Sequence, residues 1–151
     1  MKRDTEHSWA TSDFDFRTAH LEDIDFRGCA FSGIARFNKA TFSGDAEFGG
    51  ATFSDSAWFG GATFNGDAGF GGAIFNSTAG FGGATFNGDA WFGGATFNGE
   101  AWFDEVAFAG QANFVPVDFR SGRIVFTQPR QWGPPSPEFD WRTTVPGNLR
   151  I

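Results

Sequence analysis

From Phe26 to Phe119 phenylalanine recurs after five residues, then six, then five, then six, without exception. Each Phe has a small residue, usually Ala, two positions before it and one variable residue between the two. That is the period-two signature of a very short strand showing one face inward, with Ala-x-Phe as the inward pair. Two steps make an eleven-residue unit, written in full as Ala84-Thr85-Phe86-Asn87-Gly88-Asp89-Ala90-Trp91-Phe92-Gly93-Gly94, with near copies starting at Ala40, Ala51, Ala62, Ala73 and Ala95. A fixed short period predicts stacked repeats.

Two other architectures fail on physical grounds. On an α-helix, residues five apart lie about 140° from each other, so the Phe set would form no single stripe. The 22 glycines oppose a helix further, at roughly 1 kcal/mol each relative to Ala. A string of hairpins needs strands longer than three residues to bury useful area. A coil that turns after every strand remains.

The units Ala19-His20-Leu21-Glu22-Asp23, Ile24-Asp25-Phe26-Arg27-Gly28 and Cys29-Ala30-Phe31-Ser32-Gly33 follow a strict five-residue rule: small, polar, central Leu or Phe, polar, often Gly. In this the chain resembles the pentapeptide repeat family over roughly Ala19 to Gln128. After Phe31 it departs from the family pattern by adding one residue in every second unit, at Ile34, Asp45, Ser56, Asp67, Thr78, Asp89, Glu100 and Gln111. The resemblance implies an all-β fold, a right-handed four-sided parallel β-helix. Applied here, four units per turn give coils of roughly 22 residues and about five coils in all. Residues 22 apart then stack at about 4.8 Å. Phe42, Phe64, Phe86 and Phe108 form one predicted interior column, and Phe48, Phe70, Phe92 and Phe114 the one beside it. Phe37, Phe59, Phe81 and Phe103 form a third, and Phe31, Phe53, Phe75, Phe97 and Phe119 the fourth. The added residues fall on two opposite corners.

At 151 residues the chain fits one domain. We divide it into an N-terminal arm or cap over 1–15, a repeat domain over 16–128, and a Pro/Trp-rich cap or dimer contact over 129–151. The arm carries Trp9 and Phe14. The tail carries Pro129, Pro134, Pro135, Pro137 and Pro146 with Trp132, Phe139 and Trp141. Open sheet edges at the ends of a solenoid invite aggregation, and proline does not extend a ladder, so the tail is expected to cover the last Phe layer. The resemblance offers an end-to-end homodimer as the alternative. No apolar run is long enough to span a membrane, and the start lacks the apolar stretch of a signal peptide. The expected location is cytoplasmic.

The ingredients of catalysis are sparse. His7 lies in the arm, His20 in an outward position, and Tyr is absent. Cys29 takes the small inward position of its unit and reads as a space-filler. The Gly-Gly pairs, such as Gly60-Gly61 and Gly82-Gly83, lack the Lys and Ser/Thr of a phosphate loop and read as corners, where glycine tolerates positive φ. We therefore expect no enzyme and no cofactor.

Three surface patterns remain. The corner column Asp45, Asp67, Asp89, ending at Gln111, stacks like charges that repel by nearly 1 kcal/mol per pair even in water. Its neighbours Asn65-Gly66 and Asn87-Gly88 point to Asx-type turns whose side chains satisfy local amides, with a bound cation as a remote alternative. Thr41, Thr63 and Thr85 line one side and Thr52, Ile74 and Thr96 the opposite one. Regular Thr files raise an ice-binding reading, but a single Thr per strand gives no broad rank and Thr is a good strand former. Trp58, Trp91 and Trp102 occupy outward positions with Gly69 and Gly80 between them, as expected of rings shielding glycine backbone. A Trp left exposed would instead be a partner contact.

Charge gives the strongest functional hint. The 11 Lys and Arg all lie at or before Lys39 or at or after Arg120, while residues 40–119 hold nine acids and no base. Eighty residues occupy roughly 17 Å of axis at about 4.8 Å per coil, or about one negative charge per 1.9 Å against about 1.7 Å for duplex DNA. The candidate partner-binding acidic surface is Asp45, Glu47, Asp67, Asp89, Glu100, Asp104 and Glu105. The same acids also serve as ordinary solubilising charge on a Gly- and Phe-rich rod. The expected function is thus a non-enzymatic scaffold that binds another protein. The family resemblance implies a bacterial protein and, as the alternative, a DNA mimic that binds DNA gyrase or another DNA-binding protein. A net charge of -7 opposes direct nucleic-acid binding.

Overall fold

The computed structural model describes residues 12–120, 123–139 and 149–150. These residues form twenty-four strands, each two residues long except Ala112–Phe114. They stack in four sheets of seven, six, six and five strands, and neighbouring strands run parallel. As far as Glu138–Phe139 the chain visits the sheets in fixed rotation, so the architecture is a four-sided parallel β-solenoid of about five turns. No helix among the described residues is long and apolar enough to cross a membrane.

Each face is named here by an outward residue. The Trp58 face runs through Phe14–Asp15, Ala35–Arg36, Ala57–Trp58, Ala79–Gly80, Ala101–Trp102, Ile124–Val125 and Leu149–Arg150. The Thr63 face follows in the chain, from His20–Leu21 to Gln131–Trp132, and then the Trp91 face, from Ile24–Asp25 to Glu138–Phe139. The Ile74 face, from Ala30–Phe31 to Asp118–Phe119, closes the turn.

The register sets the repeat. Thr63 stands between Thr41 and Thr85, and Phe64 between Phe42 and Phe86, each 22 residues away. The Thr63 amide donates to the Ala40 carbonyl at 2.9 Å, and the Asn65 amide to Phe42 at 2.9 Å. At the first coil the step is one shorter, Phe14 pairing with Ala35, because the strict five-residue units precede the first added residue. At the far end the coils widen, with Ala101 opposite Ile124 and Asn113 opposite Glu138.

Inside, the alternation has the expected result. Every Phe from Phe26 to Phe114 is buried, and so are the inward alanines and Cys29. The four predicted columns are present. Phe42, Phe64 and Phe86 stack at 4.6 and 4.7 Å with planes within 2°. Phe53 and Phe75 stack at 4.9 Å, Phe75 and Phe97 at 4.8 Å, and Phe86 and Phe108 at 5.2 Å. Parallel rings whose centroids lie this far apart are slid past one another, the arrangement that the ring quadrupole favours. Across the axis the columns of the Trp58 and Trp91 faces interlock edge to face, with Phe59 5.4 Å from both Phe48 and Phe70. Burial of each ring contributes roughly 1.5 to 3 kcal/mol, and the cross-axis contacts weld opposite walls.

Corners follow from backbone geometry. Between the Trp58 and Thr63 faces the second corner residue always has positive φ: Thr18, Lys39, Gly61, Gly83, Glu105 and Gln128. Gly28, Gly50, Gly72 and Gly94 do the same after the Trp91 face. Each Gly-Gly pair thus supplies one left-handed residue, the conformation that glycine adopts at least cost.

The ladder runs past the expected boundary at residue 128. Gln131–Trp132, Glu138–Phe139 and Leu149–Arg150 each extend a sheet, and the prolines at 129, 134, 135 and 137 lie between strands. Proline is excluded from a paired position but not from a wide corner. Trp132 meets Phe108 and Phe126 edge-on at 5.8 Å each. Arg130 pins the tail there, donating to the carbonyls of Glu105 at 2.7 Å and Gly83 at 2.8 Å and to the Thr85 hydroxyl at 2.7 Å. In the arm, Phe14–Asp15 already belongs to the ladder. His7, Trp9, Trp141 and Pro146 lie outside the described residues.

Candidate partner-binding surface

The corner between the Thr63 and Trp91 faces carries the aspartate column. The Asp67 amide donates to Oδ1 of Asp45, the Asp89 amide to Oδ1 of Asp67, and the Gln111 amide to Oδ1 of Asp89, each at 2.9 Å. Below them the Asp45 amide donates to Oδ1 of Asp23 at 3.2 Å. The expected Asx turns are not what these side chains make: each carboxylate serves the next coil, not its own turn. Glycine makes the reach possible. A Cβ at Gly66 would lie 2.6 Å from the Gly44 carbonyl and 2.7 Å from Oδ1 of Asp45. Gly88 and Gly110 meet the same obstruction one and two coils higher. The adjacent asparagines form their own ladder, with Nδ2 of Asn87 donating to Oδ1 of Asn65 at 2.9 Å. On the opposite corner Asn98 does the same to Asn76 at 2.8 Å. The 22-residue spacing of Asn was the signal for these ladders, and sequence reasoning passed over it.

The seven candidate acids do not converge. Asp45, Asp67 and Asp89 share one corner, and Glu47 stands beside it on the Trp91 face. Glu100 lies on the opposite corner, and Asp104 and Glu105 follow Trp102 at the corner leading to the Thr63 face. Asp45 and Glu47 join Asp23, Asp25 and Arg27 around a shallow hollow of about 220 Å³, where Arg27 bonds Asp25 at 2.8 Å. Among the described residues no group of three or more His, Cys, Asp or Glu side chains is placed to hold a metal ion. The Thr residues form single files, half-buried at Thr41, Thr63 and Thr85, and the Ile74 side chain interrupts the other file, 38% exposed.

Near the base of the rod, carboxylates are tied to arginines. Arg17 donates to both oxygens of Asp15, at 2.8 and 2.6 Å, and with the Arg17 amide holds the Asp15 carboxyl down to about 2. Asp13 is lowered as well, by the Ile34 amide and then by Arg36.

The three tryptophans part company. Trp58 leans toward the coil above and lies over Gly80, where a Cβ would be 2.5 Å from its Cε3 and 2.8 Å from its Cζ3. This is the expected shielding. Gly69 is covered differently: Glu47, from the coil below, lies over it. Trp91 stands between Gly69 and Asn113 in its ladder, does not cover Gly69, and remains 38% exposed. Trp102, half-buried, carries the guanidinium of Arg123 over its ring at 5.1 Å.

Between Trp58 and Trp102 the glycines at 60, 80 and 82 leave an open cleft of about 480 Å³. Gly80 is its floor, Trp58 and Trp102 its ends, and Thr78 and Glu100 one side. Gly60, Gly82 and Asp104 form the other side. Sequence reasoning named both rings but not the hollow between them, which arises because two bulky outward residues flank a glycine two coil steps wide.

These repeats have a counterpart in known sequences. The family model for pentapeptide repeats (9 copies) matches residues 16–61 and 48–96, more than half of the chain. No curated protein and no solved structure matches it. With five- and six-residue steps, a small and a large inward residue on every side and a four-sided parallel coil, the chain belongs to the pentapeptide repeat family.

Proposed function

We propose that this protein is a non-enzymatic binding scaffold whose partner is another protein with a basic surface, and that it works in the cytoplasm. The observation that carries this reading is the base-free span from 40 to 119 with its nine acids, mounted on a rod whose interior is filled by stacked rings. A rigid support lowers the ordering cost of association, and like charge on one member speeds encounter with an oppositely charged one. Direct contact with nucleic acid is opposed by the net charge of -7.

The DNA-mimic reading, with gyrase as partner, rests on the linear charge density. It calls for rows of free carboxylates, whereas three of the seven acids accept backbone hydrogen bonds and the others are spread over one face and two other corners. That distribution supports the more general scaffold.

One set of proteins tests both. Neutralising Asp45, Glu47, Asp67 and Asp89 by Asp→Asn and Glu→Gln keeps the corner acceptors and removes four charges. Capture from a lysate of the native host should be salt-sensitive for the wild type and much reduced for the variant. Equal capture by both proteins, insensitive to salt, contradicts the scaffold reading. Inhibition of gyrase supercoiling by the wild type alone at micromolar concentration would establish the DNA mimic, and inhibition by neither would leave the general scaffold.

A further inference from the structure

We propose that the cleft between Trp58 and Trp102 is a receptor for an arginine side chain carried on an extended segment of the partner protein. The proposal rests on the scaffold reading and gives it a specific pocket.

The geometry starts with strand alternation. Glu100, Trp102 and Asp104 are successive outward residues of one coil, so an indole stands between two carboxylates on a single line. In the coil below, the same line reads Thr78, Gly80, Gly82, and two of its three positions have no side chain. Trp58 is borne two coils below Trp102 and leans up over Gly80 to border the other end. On this side of the solenoid each coil step measures 4.9 Å between stacked rings, Phe59 to Phe81 and Phe81 to Phe103. Both indoles border the cleft, and an aromatic face attracts a cation within roughly 6 Å of its centre. Trp is the strongest such face, and a planar guanidinium also stacks on it.

Two independent observations favour a cation over an apolar group. The cleft holds Glu100 and Asp104 and no basic side chain, although most of its wall is indole and glycine backbone. The chain also shows what its own Trp102 accepts: the Arg123 guanidinium, coming from the coil above, lies 5.1 Å from the ring centre. Arg123 is not among the residues that line the cleft. An aromatic end wall with flanking carboxylates suits guanidinium better than ammonium, because a planar guanidinium stacks on an indole while its in-plane donors stay free for an acid. The width favours an extended backbone, since a volume of about 480 Å³ admits more than one side chain.

The test uses the full chain with its indole Nε1 protons resolved by NMR. Blocked peptides Gly-Arg-Gly, Gly-Lys-Gly and Gly-citrulline-Gly are titrated to 20 mM. The Arg peptide should shift Trp58 and Trp102 in a saturable manner and leave Trp91 unmoved. The Lys peptide should bind at least threefold more weakly, and the citrulline peptide, matched in shape without charge, at least tenfold more weakly. The double variant Glu100→Gln, Asp104→Asn, whose changes lie on the surface, should weaken the Arg peptide about tenfold. Absence of saturation, equal binding of citrulline, or a matching shift at Trp91 would overturn the proposal. So would equal binding of Lys, or no loss in the double variant. Neither variant residue belongs to the set neutralised in the scaffold test, so salt-sensitive capture with a silent cleft removes this proposal alone.

Discussion

Asp67 donates its backbone amide to Oδ1 of Asp45 at 2.9 Å, one coil below, and offers its own Oδ1 to the amide of Asp89 at 2.9 Å one coil above. A column of like charges is thereby a column of hydrogen bonds, and the attraction of each carboxylate for an amide opposes the repulsion between neighbours. Charged acceptors make the stronger class of hydrogen bond. Replacing Asp67 by Ala should lower stability by about 1 kcal/mol. Asn keeps Oδ1 and removes the charge, so Asp67→Asn should fall within about 0.5 kcal/mol of wild type. Urea melts of the two variants check this, and an Asn variant as damaged as the Ala variant would show that the charge itself is needed.

The glycine beside each of these aspartates is held by space, not by backbone angle. A Cβ at Gly88 would press on the Gly66 carbonyl and on Oδ1 of Asp67, 2.8 Å away. Gly83 is the converse, with φ +71° and no obstruction closer than 3.8 Å. Its column accepts Lys39 and Glu105 at similar angles. Gly88→Ala should therefore cost about 2 kcal/mol or more through a backbone clash, and Gly83→Asn, a residue that tolerates left-handed backbone, about 1 kcal/mol or less. The order of the two melting temperatures is the readout.

Phe86 fills one layer, stacked between Phe64 at 4.7 Å and Phe108 at 5.2 Å and edge-on to Phe92 at 6.2 Å. A solenoid has only adjacent layers to relax into the gap. Phe86→Ala should cost about 3 to 5 kcal/mol, measured by chemical denaturation. A loss under about 1 kcal/mol would mean that the ring is not in the core.

At the base of the rod, acid should remove a stabilising ion pair. Asp15 is held down to about 2 from an ordinary 3.8 by Arg17. A depressed folded value contributes stability that is fully present above the unfolded value and lost as pH falls through the folded one. The Asp15–Arg17 contribution should therefore be intact above about pH 4 and disappear toward pH 2. A carboxyl carbon titration should find Asp15 near 2 in the wild type and higher in Arg17→Ala, which keeps only the backbone amide bond, and coincident midpoints would refute the pairing.

Much of this fold was legible because one residue type marks the core. Phe64 and Phe86 sit 22 positions apart, and a coil of four short strands turns that spacing into contact. What the spacing does not encode is how side chains lean. Asn65-Gly66 and Asn87-Gly88 suggest turns that satisfy their own amides, but the space cleared by Gly66 lets Asp45 bond the Asp67 amide one coil above. The sequence offers Trp91 as a cover for Gly69, yet Glu47 takes that place and Trp91 stays exposed. Trp58 does lie over Gly80, and the cleft that it lines with Trp102 has no signal of its own in the spacing. In the tail, prolines were read as the end of the ladder. Pro129, Pro134, Pro135 and Pro137 lie between strands instead, and Gln131–Trp132 pairs with Ala107–Phe108.

The central claim is that a side chain or amide finds its partner one coil away. Scalar coupling across hydrogen bonds reads that directly, because signal passes only between the amide and the carbonyl or carboxyl it touches. In a labelled sample, the Thr63 amide should couple to the Ala40 carbonyl, the Thr85 amide to Ala62, and the Asp67 amide to the Asp45 side-chain carboxyl. Couplings from these amides to carbonyls within the same coil, as hairpins would give, would contradict the 22-residue parallel register and with it the surfaces described above.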